Sequence, residues 1–160
     1  MKVLPKRKPN RLQGYDYSEN GAYFITVCTK DRAKLFGEIT VGAASCRPQL
    51  NDVGKIVETE ISRLSTTYDG ARIDCHIVMP NHVHMIIVIQ NVIGRQNAAP
   101  TVSRMMNQWK RTISIKVGYS PWQKSFYDHI IRDDKEYSRI VEYIENNPAN
   151  WEKDRFFGGN

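Results

Sequence analysis

Cysteine is scarce in this sequence, and the little there is follows no pairing pattern. The three cysteines, Cys28, Cys46 and Cys75, show no CxxC spacing, and an odd number cannot all be joined within one chain. This argues against a disulfide framework and against a cysteine-built zinc site. Cys28 and Cys75 fall in apolar, strand-like segments and read as small buried hydrophobes. Long apolar runs are missing too. The longest, Met85 to Ile89, is far short of the roughly 20 residues that cross a bilayer, so no membrane partner is expected. The stretch Met1 to Asn10 is basic, holds two prolines and lacks the apolar core of a secretory signal, so the cytoplasm is the expected compartment. No internal repeat or low-complexity tract is apparent.

What is present is positive charge. Lys and Arg number 23 against 17 Asp and Glu, a net charge of +6 in 160 residues. That balance favours a polyanionic partner, and charge alone is equally compatible with a basic surface that serves only solubility. Its distribution is more telling. Lys2, Lys6, Arg7, Lys8 and Arg11 crowd the start, and Lys110, Arg111 and Lys116 recur along an expected helix. The length suits one domain. We expect a basic arm over residues 1–20, a single domain over 21–151 and a tail over 152–160.

Periodicity gives the elements. Ala22 to Thr29 is rich in aromatic and β-branched residues and predicts a strand. Residues 37–50 predict a loop or weak hairpin. Asn51 or Asp52 can cap a helix to about Thr66, with Val53, Ile56, Val57, Ile61 and Leu64 at helical spacing. Strands over about Ala71 to Met79 and His82 to Gln90 meet at Pro80-Asn81. A helix capped by Thr101 or Ser103 should run to Val117 and stop at Gly118. A strand over Ser125 to Ile131 and a last helix from Asp133 towards Pro148 complete the chain. The first six elements match a split βαβ, ferredoxin-like α+β domain: a four-stranded antiparallel sheet with helices on one face, followed by a C-terminal helix.

Two histidines stand out in Met79-Pro80-Asn81-His82-Val83-His84. Only four occur in the chain, and this pair lies at the start of a strand expected to be central. Residues i and i+2 of a strand share a face about 7 Å apart, so both imidazoles can converge on one ion. Two strand-end histidines satisfied by backbone or water are an equally good reading of these residues taken alone. The turn at Pro80-Asn81 should expose the first histidine at a mouth beside the apolar face. Without cysteine the pair does not close a structural zinc site, and imidazole does not choose between zinc and manganese.

On the last helix, Tyr137, Ile140, Val141 and Ile144 form one stripe. Tyr143 and Asn147 lie together on its flank, four residues apart, where a side chain can be held by packing and still be reached. Helical spacing does not select Tyr143 over Tyr137.

These stretches together resemble the HUH-type single-tyrosine transposases, specifically the REP-associated tyrosine transposase branch. The resemblance runs through Arg11-Leu12-Gln13-Gly14-Tyr15-Asp16-Tyr17, Tyr23 to Cys28, Leu50 to Lys55, Met79 to His84, Trp122 to Asp133 and Tyr143-Ile144-Glu145-Asn146-Asn147-Pro148. It implies a divalent metal, Mg²⁺ or Mn²⁺, on His82, His84 and Asn147, with Tyr143 as the nucleophile. It also implies a single-stranded or hairpin DNA substrate, a 5′-phosphotyrosine intermediate and association with the nucleoid when DNA is bound. Arg7, Arg11, Lys110, Arg111, Lys116, His129 and Arg132 are the candidate DNA contacts, although a structural hydrogen bond is the better reading of His129. Trp109 and Trp122 are candidates for stacking bases, and Trp109 reads better as core. The implied state is a monomer or a homodimer, since both occur among such proteins. The competing reading is a non-catalytic nucleic-acid-binding module on the same sheet.

Overall fold

The computed structural model describes residues 20–40, 47–90, 92 and 100–157. Residues 1–19 of the expected N-terminal arm, with Arg7 and Arg11, lie outside them, as does Cys46. Strand β1 (Gly21–Cys28) alternates two apolar sets, and both are covered. It lies at the centre of a four-stranded antiparallel sheet with β4 (Ala71–Met79), β5 (His82–Ile89) and β6 (Tyr127–Ile131), in the order β4-β5-β1-β6. Sequential β4 and β5 form a hairpin, while β1 and β4 run parallel on either side of β5. This is the split βαβ arrangement that the element order predicts. The expected weak hairpin within 37–50 is a two-residue pairing of β2 (Gly37–Glu38) with β3 (Gln49–Leu50).

Helix α1 (Asp52–Thr67) begins where Asn51 accepts a hydrogen bond from Gly54 N at 2.9 Å. Helix α2 (Val102–Val117) is capped by Thr101 and ends on Gly118 at φ 83°, a left-handed conformation that suits glycine. Both pack on one face of the sheet. There Val57, Ile61, Met105, Met106, Trp109 and Ile113 meet Tyr23, Ile25, Val27, Met85 and Ile87. Helix α3 (Asp134–Asn146), capped by Asp133, covers the opposite face. Its Tyr137, Ile140, Val141 and Ile144 lie on Phe24, Ile86 and Val88. The second face of the sheet is therefore the one shared by α3 and the histidines.

The first turn of α1 passes so close to Phe36 that a Cβ on Gly54 would fall inside the radius of the Phe36 carbonyl oxygen. Backbone cannot move aside as a flexible side chain can. Gly54→Ala should therefore destabilise the chain by about 2–3 kcal/mol. Thermal unfolding would show this as a fall of roughly 5–10 °C.

Candidate active site

On β5 the residues facing α3 are His82, His84, Ile86 and Val88. Antiparallel pairing sets Thr26 of β1 opposite His84, and Cys28 opposite His82. Thr26 Oγ1 lies 2.8 Å from His84 Nδ1, which fixes that ring from behind and leaves its other nitrogen forward. The two imidazole centroids are 4.5 Å apart. The i, i+2 convergence expected from a strand is met.

Their exposure is not as expected. The sequence places His82 at an open mouth beside the Pro80-Asn81 turn, yet both histidines are 0% exposed. The reason lies in the chain after Pro148. The one-turn 3₁₀ helix Trp151–Lys153 and the residues following it fold back over the histidines. Phe156 sits 4.5 Å from the His82 ring and Trp151 6.0 Å. Residues 152–157 of the expected tail form a wall of the site.

Asn81 is the hidden anchor. Its Nδ2 donates to the carbonyls of Arg32 (3.0 Å) and Phe156 (2.7 Å), so its Oδ1 is left to accept. His82 Nδ1, at 2.9 Å from that oxygen, must be the protonated nitrogen. Asn147 Nδ2 donates to Asp154 Oδ2 at 3.0 Å, which turns Asn147 Oδ1 towards His82 Nε2 at 3.2 Å. Two lone pairs thus face each other across 3.2 Å. Burial, partly opposed by Asp154 and Asn147, lowers the His82 pKa from 6.5 to about 4, so a proton does not fill the gap at neutral pH. His84 Nε2 is buried without a hydrogen-bond partner among the described residues. Burial, then His82 and Arg155, also holds the His84 pKa well below its ordinary value. The His82, His84 and Asp154 ligand atoms lie within 4.8 Å of one another. Opposed acceptors, an orphan imidazole nitrogen and a nearby carboxylate fit a cation.

The same burial has a consequence for stability. As pH falls through 6.5 the unfolded chain protonates His82, whereas the folded chain does so only near 4. The contribution is complete above 6.5 and is lost between 6.5 and 4, amounting to on the order of 3 kcal/mol. Denaturant unfolding in chelator at pH 7 and 4.5 should show this loss. His82→Gln, which cannot take up the proton, should show a shallower decline.

Tyr143 borders this core. Its ring lies 5.2 Å from His84 and 6.1 Å from Phe24, and the residue is 43% exposed. Burial and then Asp154 raise its pKa, while Arg155 and a hydrogen bond with Asn147 oppose the rise. Tyr137 differs. Its hydroxyl donates to Asp74 at 2.7 Å, and burial with that bond pushes its pKa up to about 12. Of the two helix tyrosines, Tyr143 is the one beside the histidines.

A cleft of about 570 Å³ opens in front of Tyr143, with Asn147, Asp154, Arg139, Lys153 and Arg155 on its walls. The three basic residues were not singled out in the sequence, because they alternate with Glu142 and Glu152 in ordinary mixed-charge stretches. Arg132, among the candidates, is exposed at the start of α3. His129 is paired with Glu136 at 2.7 Å, in accord with the structural reading. Lys110, Arg111 and Lys116 lie on α2, across the sheet from the histidines. Lys110 donates to Gln123 O at 2.7 Å and the exposed Lys116 pairs with Glu60, while Arg111 is exposed as well. Trp109 and Trp122 are both buried, 4.8 Å apart, and neither offers a free face for a base.

No family model matches the chain. A Haemophilus influenzae protein described only as uncharacterized is 34% identical, over 94% of this chain and 93% of that protein. A second Haemophilus influenzae protein, "Putative REP-associated tyrosine transposase", is 22% identical over 84% of this chain and 73% of its own length. The solved structure of a REP-associated tyrosine transposase bound to a REP hairpin superposes with a TM-score of 0.64 at 22% identity, covering 88% of this chain and 73% of that one. The chain therefore belongs to one family with the uncharacterized Haemophilus influenzae protein, and its fold is that of the REP-associated tyrosine transposases.

Proposed function

We propose that this chain nicks and rejoins single-stranded DNA, with Tyr143 as nucleophile and a divalent cation, Mg²⁺ or Mn²⁺, held by His82, His84 and Asn147. The observation that carries the reading is the half-exposed Tyr143 phenol, its ring 5.2 Å from the inward-facing imidazole of His84. The likeness to a transposase bound to a hairpin supports hairpin-bearing DNA as the substrate.

The phenol is protonated at neutral pH, because burial and Asp154 hold its pKa above the ordinary value. Attack must therefore be accompanied by loss of that proton. The Tyr143 oxygen forms a bond to phosphorus as the bond from phosphorus to the 3′-oxygen breaks, and the 3′-oxygen gains a proton. The cation, when bound, polarises the scissile phosphate and offsets charge in the transition state. His82 and His84 stay neutral and aimed by Asn81 and Thr26, and Asn147 spans the histidine and tyrosine sides. Arg139, Lys153 and Arg155 give the cleft cationic groups for the DNA backbone. The 5′-phosphotyrosine keeps a phosphodiester that a 3′-hydroxyl can attack in reverse, so joining needs no nucleotide cofactor.

The direct test is incubation of the chain with hairpin-bearing single-stranded DNA and Mn²⁺, followed by denaturing electrophoresis. A protein–DNA adduct that chelator prevents is expected. Tight, salt-sensitive binding with no adduct would instead make the chain a non-catalytic DNA-binding module.

A further inference from the structure

Two imidazoles and an amide oxygen carry no charge, whereas Mg²⁺ and Mn²⁺ are hard cations that favour carboxylate oxygen. Among the described residues, the carboxylate grouped with the two histidines is Asp154, with all three ligand atoms inside 4.8 Å of one another. Bonds of about 2.1 Å to a common ion place ligand atoms roughly 3–4 Å apart. The observed span is only slightly wider.

Asp154 is also held in place. It follows the turn Trp151–Lys153, and its N–H donates to Trp151 O at 3.0 Å. Its Oδ1 accepts from Phe156 N at 2.8 Å and its Oδ2 from Asn147 Nδ2 at 3.0 Å. Each carboxylate oxygen still has a lone pair to give. The bond to Asn147 does more than fix Asp154. It sets the Asn147 amide with its oxygen towards His82 Nε2. The packing of Phe156 on His82 and the bond from Asn81 Nδ2 to the Phe156 carbonyl hold this segment against the histidines.

We propose that Asp154 is the anionic ligand of the cation site, and that its hydrogen bond aims Asn147 at the same ion. The inference rests on the metal-dependent reading above. It assigns the segment after Pro148 to the active site itself, since the ligand arrives with it.

Calorimetric titration of MnCl₂ into the full chain tests this without DNA or turnover. The variants are Asp154→Asn, Asp154→Ser, His82→Ala and Glu142→Gln, the last removing a different acid from the same cleft. Asp154→Asn should weaken Mn²⁺ binding at least about 10-fold, the lower end of what even an outer hydrogen-bond partner costs at metal sites. Glu142→Gln should bind as the parent does. Asp154→Ser retains an acceptor for Phe156 N–H, so one of the two variants should keep the parent's circular dichroism and report on affinity alone. A folded Asp154 variant with the parent's affinity, beside a His82→Ala that has lost it, overturns this inference and leaves the site reading standing. A parent chain that binds no Mn²⁺, or a His82→Ala that binds it equally well, removes both.

Discussion

Tyr143→Phe should eliminate the covalent protein–DNA adduct and lower strand cleavage on the order of 10⁶-fold, the scale seen when an enzyme loses its covalent nucleophile. The variant removes one oxygen and little else. The Tyr143 ring packs edge-on to Phe24 and beside His84, and phenylalanine retains both contacts. The residue is 43% exposed, so the fold should be unchanged in thermal unfolding. Tyr137→Phe is the matched control. It removes the hydroxyl bonded to Asp74, where α3 meets β4, and should cost stability of about 1 kcal/mol while leaving the adduct yield intact. Turnover that survived Tyr143→Phe would point to a hydrolase working through the histidines alone.

His84→Ala should have the second-largest effect. Loss of a charge-stabilising group at a transition state costs about 3–4 kcal/mol, or roughly 100–1,000-fold in rate. His84 supplies the buried nitrogen that has no hydrogen-bond partner among the described residues, which is hard to explain as a structural role. A structural histidine is anchored through its ring nitrogens, as His129 Nε2 is on Glu136 and His76 Nε2 on Glu58. Alanine at 84 should therefore leave much of the thermal stability in chelator and abolish the stabilisation that added Mn²⁺ confers on the parent. The rate measurement and the Mn²⁺-dependent melting shift should fall together. Rate loss with the full Mn²⁺ shift retained would place the cation elsewhere.

How much of this was legible in the sequence depends on the range of the interaction. Asn51, Thr101 and Gly118 mark helix ends through bonds to residues three or four positions away, and each does so in the fold. The histidine pair was readable because strand geometry alone brings i and i+2 to one face. Choosing Tyr143 over Tyr137 was not possible from helical spacing, since both adjoin the apolar stripe. What separates them is Asp74, at the irregular point of β4 between Ile73 and Cys75, 63 positions from Tyr137. Asp154 was invisible for the same reason. It sits in a mixed-charge run, and only the return of the chain after Pro148 carries it to His82. That return also buries histidines which a local reading placed at an open turn. Lys110 reads as a candidate DNA contact because its acceptors, the carbonyls of Gln123 and Lys124, lie on a loop that spacing does not locate.

The claim on which the rest depends is that one phenol on α3 reacts beside the two imidazoles of β5. Proteolysis of the adduct formed by the unmodified chain, with mass spectrometry of the DNA-bearing peptide, tests it most directly. A phosphodiester on Tyr143 is expected, in the peptide that carries Asn147. A DNA-linked peptide containing Tyr137, Tyr127 or any other nucleophile in place of Tyr143 would contradict it.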